Sequence, residues 1–581
     1  MLIIQRQTKR ESAFVNRQLQ EMSLISILSP LITSEGLDSR IKPSPKKDAS
    51  TTTKPSLWKT TEFKFYYIAF LVVVPLMFYA GLQASSPENP NYARYERLLS
   101  QGWLFGRKVD NSDSQYRFFR DNFALLSVLM LVHTSIKRIV LYSTNITKLR
   151  FDLIFGLIFL VAAHGVNSIR ILAHMLILYA IAHVLKNFRR IATISIWIYG
   201  ISTLFINDNF RAYPFGNICS FLSPLDHWYR GIIPRWDVFF NFTLLRVLSY
   251  NLDFLERWEN LQKKKSPSYE SKEAKSAILL NERARLTAAH PIQDYSLMNY
   301  IAYVTYTPLF IAGPIITFND YVYQSKHTLP SINFKFIFYY AVRFVIALLS
   351  MEFILHFLYV VAISKTKAWE NDTPFQISMI GLFNLNIIWL KLLIPWRLFR
   401  LWALLDGIDT PENMIRCVDN NYSSLAFWRA WHRSYNKWVV RYIYIPLGGS
   451  KNRVLTSLAV FSFVAIWHDI ELKLLLWGWL IVLFLLPEIF ATQIFSHYTD
   501  AVWYRHVCAV GAVFNIWVMM IANLFGFCLG SDGTKKLLSD MFCTVSGFKF
   551  VILASVSLFI AVQIMFEIRE EEKRHGIYLK C

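Results

Sequence analysis

Charge is scarce in this 581-residue chain: Asp, Glu, Lys and Arg make up 17% of it, against about 25% in an average soluble domain. Acidic residues are scarcer still, 40 against 61 Lys and Arg, which leaves a net charge of +21. The six cysteines have no paired spacing, which excludes a disulfide framework and a zinc-type cysteine set; no metal site is expected. No internal repeat is evident, which weighs against a transporter built from duplicated halves. No apolar stretch near the start resembles a secretory signal. Apolar residues fill the space left by charge. Hydrophobic residues are 54% of the chain and aromatics 16%, with a mean hydropathy of +0.32. They cluster in blocks close to the ~20 residues that cross a hydrocarbon core. This excludes intrinsic disorder and an ordinary soluble enzyme, and predicts an all-α polytopic membrane protein. The basic residues sit mainly in tails and between apolar blocks, where they meet anionic headgroups and set topology. Membrane lipids, not nucleic acid, are therefore the expected partners.

Residues 1–62 are rich in Ser, Thr, Pro and Lys and read as a disordered polar tail. Met22 offers a second start, so the first 21 residues read as dispensable. A membrane domain is expected over 63–568, with a motif core at 234–486 and a polar tail at 569–581. The first span, 65–84, contains Pro75. Further apolar blocks lie at 123–136, 151–165, 169–185, 191–206, 300–318, 334–363 and 375–393. Four more follow at 455–467, 472–489, 507–529 and 548–568. About ten to twelve transmembrane or re-entrant helices are expected, some short enough to line an enclosed cavity. Lys137, Arg138, Lys148 and Arg150 flank one end of a helical pair, and Lys186, Arg189 and Arg190 the other. A hairpin would place both clusters on one side. Counting every block as a crossing does not return the basic 396–453 region to that side, so the 238–248 block is expected to be re-entrant or interfacial. Sequons at Asn145, Asn241, Asn371 and Asn421 read as chance occurrences.

Ionisable residues inside apolar sequence are the natural candidates for function. One such group interrupts the run after Leu455, where His468, Asp469 and Glu471 follow Trp467. If the helix continues, Glu471 shares a face with His468 and could orient its imidazole; a short solvated loop is the alternative. In 425–449, drawn as one helix, Trp428, Trp431, Tyr435 and Trp438 form an aromatic stripe beside Arg429, His432 and Asn436. That pattern suits an interfacial helix or a site. Pro446 with Gly448 and Gly449 then turns the chain.

The run Phe427-Trp428-Arg429-x-Trp431-His432-x-Ser434, followed by Arg441 to Gly449 and then Ile466-Trp467-His468, resembles the membrane-bound O-acyltransferase (MBOAT) superfamily. Pro234-Arg-Trp-Asp-Val-Phe-Phe-Asn241 and the stretch from Tyr306 through Pro314 to Phe318 resemble its fungal glycerol-uptake branch, relatives of Hedgehog acyltransferase. The resemblance implies a fold whose helices enclose a central reaction chamber. It implies that His468 is the catalytic base, buried midway across the membrane, and that His432 occupies the family's upstream site position. Arg416-Cys417-Val418 matches the context of a haem-ligating cysteine in Hedgehog acyltransferase, so Cys417 becomes a candidate haem ligand. Many family members have Gly after the catalytic histidine, where this chain has Asp469.

The implied reaction is acyl transfer from long-chain acyl-CoA, the co-substrate, to a hydroxyl. For this branch the acceptor is lyso-GPI lipid or the GPI-anchored proteins carrying it, in the endoplasmic reticulum membrane, with the plasma membrane a further location. Trp428, Arg429, Arg433, Asn436 and Arg441 are candidate substrate contacts. Arg429, Arg433, Lys437 and Arg441 are either phosphate contacts or headgroup anchors. The competing readings are a proton-coupled glycerol or polyol transporter, for which Glu352 and Glu488 are the obvious intramembrane carboxylates, a protein acyltransferase, and a non-catalytic lipid-binding relative.

Overall fold

The computed structural model describes residues 37–38, 40–41, 54–233, 235–263, 280–288, 290–468 and 470–579. Pro234 and Asp469 of the motifs above, and most of the expected N-terminal tail, lie outside the described residues.

The architecture is helical. The described sheet is one antiparallel hairpin, β1 (Leu99–Gln101) with β2 (Lys108–Asp110). The principal helices are α1 (Thr61–Ala84), α2 (Phe123–Ser143), α3 (Lys148–His164), α4 (Ser168–Val184), α5 (Arg189–Phe210), α6 (Trp236–Lys263), α7 (Phe334–Phe357) and α8 (Pro374–Leu405). After these come two short helices, α9 (Ser424–Ala430) and α10 (Arg433–Val439). The chain ends with α11 (Arg453–His468), α12 (Leu472–Phe495), α13 (Tyr504–Asn523) and α14 (Val545–Arg574). Nine candidate spans among the described residues are long and apolar enough to cross a membrane. The protein is an all-α polytopic membrane protein.

Local chemistry starts these helices. Thr60 caps α1 by accepting the Phe63 amide. Thr373 and Gln376 form a reciprocal capping box ahead of α8, with Pro374 in its first turn. Pro75 sits within α1 without ending it, as membrane helices permit. Outer helices keep large apolar residues exposed, such as Ile68, Leu71, Leu125, Leu131 and Phe548. On a soluble protein that surface would be unstable; it suits hydrocarbon. Helix α6 is the opposite case, buried without interruption from Thr243 to Asn251, with its Arg246 donating to the Val304 carbonyl and its Ser249 bonded to the Tyr442 hydroxyl.

Two apolar bodies result. One packs α4, α5 and α6 with helix Leu297–Val304, α10 and α11. The other packs α1, α7 and α8 with the 524–541 region. Between them lies a cavity of about 2800 Å³, lined by Phe242 and Val464 from the first body and by Met379, Phe383 and Leu524 from the second.

Several expectations are corrected. The 300–318 block is not one span: it breaks into Leu297–Val304 and Thr307–Phe310, and Phe318 opens a third helix, Phe318–Lys326. Pro308 and the Gly313-Pro314 pair lie in that stretch. The 238–248 block is not a separate short segment but part of the 28-residue helix α6. Lys137, counted as a topology-setting charge, is 3% exposed and ion-paired to Asp152 and Asp406 at 2.6 and 2.7 Å. Residues 37–38 and 40–41, within the expected disordered tail, are placed against the body, with Asp38 1% exposed. The C-terminal polar segment is helical to Arg574. It docks through a two-pronged Arg416–Glu572 ion pair at 2.5 and 2.7 Å.

Candidate active site

The 425–449 stretch, drawn above as one helix, forms two short helices and a π turn between Ser424 and Tyr444. Helix α9 starts on Ser423, whose hydroxyl accepts the Ala426 amide at 3.0 Å. Glu488 of α12 accepts the Leu425 amide at 3.2 Å and the Asn515 side chain at 3.3 Å, and also bonds Ser423. An acidic group suits the positive end of a helix. Trp428 on α9 meets the Trp477 ring edge-on at 5.4 Å. At Trp431 the backbone becomes extended. His432 then takes φ 45°, ψ 51°, the left-handed region.

A non-glycine residue held there costs about 1–3 kcal/mol and persists only where surrounding contacts impose it. Those contacts are visible. The Asn413 carbonyl accepts the Arg433 amide at 3.0 Å, and the Asn413 side-chain oxygen accepts the Ser434 amide at 3.0 Å. Asn413, 1% exposed, thus grips both amides that follow His432.

The left-handed turn delivers the His432 ring to the chamber wall. It stacks on Trp396 of α8 at 4.5 Å and 21°. Tyr435 lies 5.1 Å away, and Trp467 6.5 Å. Tyr435 and Trp467 stack at 4.6 Å, and the Trp467 ring is 4.7 Å from that of His468. Trp467 therefore bridges the two histidines. Asn241 of α6 locks it: the Asn241 amide donates to the Trp467 carbonyl, and the Trp467 indole donates to the Asn241 carbonyl, both at 2.9 Å. The Asn241 sequon is thereby engaged inside the protein.

Both histidines line the chamber. His432 is 7% exposed; burial, with the neighbouring His468 adding to it, pushes its imidazole below the usual range and favours the neutral ring. His468, the last residue of α11, lines the chamber and is exposed, not buried as the resemblance implies. The helix stops there, and Glu471 is the exposed residue before α12, so the expected shared face of His468 and Glu471 does not form. Among the buried atoms of chamber-lining residues that have no hydrogen-bond partner within the described protein are His432 Nε2, Tyr435 Oη, Trp428 Nε1 and Trp477 Nε1. Buried polar atoms normally find partners, and these lack one among the described residues.

The other candidates divide. Trp428, Arg429, Arg433 and Asn436 line the chamber, and Arg441 does not. Arg441 is turned to Asp253 at 2.7 Å and Glu256 at 3.2 Å. Arg433 is paired to Asp38 at 2.7 Å and Lys437 to Glu282. Arg429 is exposed and has no ion-pair partner among the described residues. Glu352 accepts from Trp103, Tyr116 and Arg120 at 3.1, 3.0 and 2.7 Å, so it and Glu488 are both engaged as structural acceptors.

Cys417, the candidate haem ligand, packs against the α8 body, its sulfur 4.0 Å from Asp419 Oδ2, beside the chamber-lining Val418 and Asp419. Burial and the neighbouring Asp419 carboxylate push its thiol up. No step is assigned to haem.

Sequence reasoning named both histidines and Trp428 but gave no role to Trp396, Asn413 or the Asn241–Trp467 lock. Asn241 and Trp467 stand inside the quoted motifs; Trp396 and Asn413 carry no local signal.

Residues 191–531 match MBOAT, the membrane-bound O-acyltransferase family. The chain is 58% identical over 575 residues to membrane-bound O-acyltransferase GUP1 of Candida tropicalis, covering 97% of each. It is 56% identical to membrane-bound O-acyltransferase GUP2 of Saccharomyces cerevisiae over 92% of this chain and 90% of that one. Protein-cysteine N-palmitoyltransferase HHAT of Mus musculus is 28% identical over 188 residues, 31% of this chain and 37% of its own. With two histidines at one wall of an apolar chamber and a match across more than half its length, the chain belongs to the membrane-bound O-acyltransferase family.

Proposed function

We propose that this protein transfers a long-chain acyl group from acyl-CoA to the hydroxyl of a lipid, and that the acceptor is the lyso-GPI lipid of GPI-anchored proteins in the endoplasmic reticulum membrane. The observation that carries the chemistry is the meeting of His432 and His468 on one indole-bridged wall of the chamber. The acceptor and the compartment rest on the likeness of the motifs to the fungal branch.

Size supports two lipidic substrates. Pockets for single small ligands occupy about 300–1,000 Å³, and this chamber is about 2800 Å³. Each acyl methylene buried there contributes about 0.8 kcal/mol, so chamber depth can select chain length. His468 takes the proton of the acceptor hydroxyl while the oxygen attacks the thioester carbonyl, a contribution of about 10²–10⁴ in rate. The C–S bond breaks, and the departing CoA thiolate recovers the proton from His468. His432 stands on the chamber wall beside the reacting groups. Trp428 and Asn436 border the acyl path, and Arg429 meets donor phosphate.

The test is a competition between acceptors. Reconstituted protein given labelled acyl-CoA, a lyso-GPI lipid and a peptide with an N-terminal cysteine is expected to label the lipid through an ester. Labelling of the peptide alone would overturn the lipid acceptor.

A further inference from the structure

The left-handed His432 turn is held from a part of the chain that composition marks as tail. Asp38 is sealed among cations and amides, its side chain showing no exposure. Its Oδ2 accepts two donors that flank the turn from opposite sides. One is the Glu412 amide at 3.0 Å, immediately before Asn413. The other is the Arg433 guanidinium at 2.7 Å, immediately after His432. Asn413 in turn accepts the Arg433 and Ser434 amides. Two loops, 409–413 and 431–434, are therefore joined at two points, by Asp38 through the Glu412 amide and the Arg433 guanidinium, and by Asn413 through the Arg433 and Ser434 amides. Arg40 anchors the segment that carries Asp38: its guanidinium donates to the Thr410 and Asp409 carbonyls at 2.7 and 2.8 Å. Arg400 adds a bond to the Leu37 carbonyl at 2.9 Å. Burial raises the Asp38 carboxyl, but the Arg40, Arg400 and Arg433 charges outweigh it and hold the group well below the usual carboxylate range.

We infer that Asp38 and Asn413 are positioning residues for His432, stapling its turn in the left-handed conformation that places the imidazole on the chamber wall. The inference rests on the acyl-transfer reading of His432. Asp38, within the expected tail, is then a support of the reaction centre and not a plug. Neither residue touches the reacting groups; each acts through the geometry of the turn.

The Asn413 Nδ2 has no partner, so Asn413→Asp keeps the acceptor for Ser434 and loses no bond, whereas Asn413→Ala removes the acceptor. Steady-state transfer by the full chain in lipid is measured for Asp38→Asn, Asn413→Ala, Asn413→Asp and His432→Ala. Asp38→Asn and Asn413→Ala are expected to lower kcat about 10- to 100-fold, the scale of a misplaced catalytic group, with KM for acyl-CoA changed less than about threefold. Asn413→Asp is expected to stay within about threefold of the wild type in kcat. Asn413→Ala with full kcat, while His432→Ala is inactive, overturns the inference alone. A fully active His432→Ala overturns the reading of His432, and this inference with it. Higher activity on Asp38→Asn would mark the segment as a plug and also overturn it. If Asp38→Asn does not fold, the Asn413 pair decides: equal kcat in Ala and Asp contradicts the staple.

Discussion

Two buried polar clusters in this protein have opposite character. In the first, Lys137 lies between Asp152 and Asp406 at 2.6 and 2.7 Å. Tyr306 donates to Asp406 at 2.6 Å and Tyr321 to Asp152 at 2.8 Å. Three ionisable groups and two phenols satisfy one another and join α2, α3 and the end of α8 to the buried 306–321 stretch. In the second, at the chamber wall, His432 Nε2, Tyr435 Oη, Trp428 Nε1 and Trp477 Nε1 find no partner, and the backbone at His432 is strained. A closed network stabilises the fold and leaves nothing to offer a substrate. An open one gives up stability. The second cluster lies at the chamber wall and the first does not.

Breaking each cluster should therefore have different consequences. The largest effect expected is on catalysis: His468→Ala lowers kcat about 10²–10⁴-fold, with thermal stability in detergent close to that of the wild type. Next, Lys137→Ala leaves two buried carboxylates uncompensated and is expected to cost about 3–5 kcal/mol of stability; protein that remains folded, assayed at low temperature, retains wild-type kcat. A stable but inactive Lys137→Ala would erase the distinction. Smaller is Asn241→Ala, which removes the donor to the Trp467 carbonyl. It should cost about 1 kcal/mol and lower kcat more than it raises KM. Smallest is the contrast between two arginines. Arg429→Ala is expected to raise KM for acyl-CoA about three- to fivefold, less at high salt, while Arg441→Ala, turned away from the chamber, leaves it unchanged.

The sequence and the structure agree where the signal is local. Thr60, Thr373 and Gln376 cap helices as their types suggest, and Gly448 and Gly449 take positive φ after Pro446. The two histidines of the motifs face one chamber. Disagreement arises where distant contacts decide. The aromatic stripe through 425–438 has helical spacing, yet Asn413 withdraws the two amides after His432 and the helix breaks. Residues 37–41 carry the composition of a tail, but Asp38 and Arg40 find Arg433, Asp409 and Arg400 nearly 400 positions away. A window of neighbouring residues cannot register an ion pair of that range.

The central claim is that His468, on the wall it shares with His432, removes the acceptor proton during acyl transfer. The direct measurement reconstitutes wild type and His468→Ala at equal folded amounts in lipid, with labelled long-chain acyl-CoA and lyso-GPI acceptor, and follows ester formation. The account predicts ester from the wild type and a loss of at least about 100-fold in the variant; ester formed by His468→Ala at the wild-type rate would contradict it.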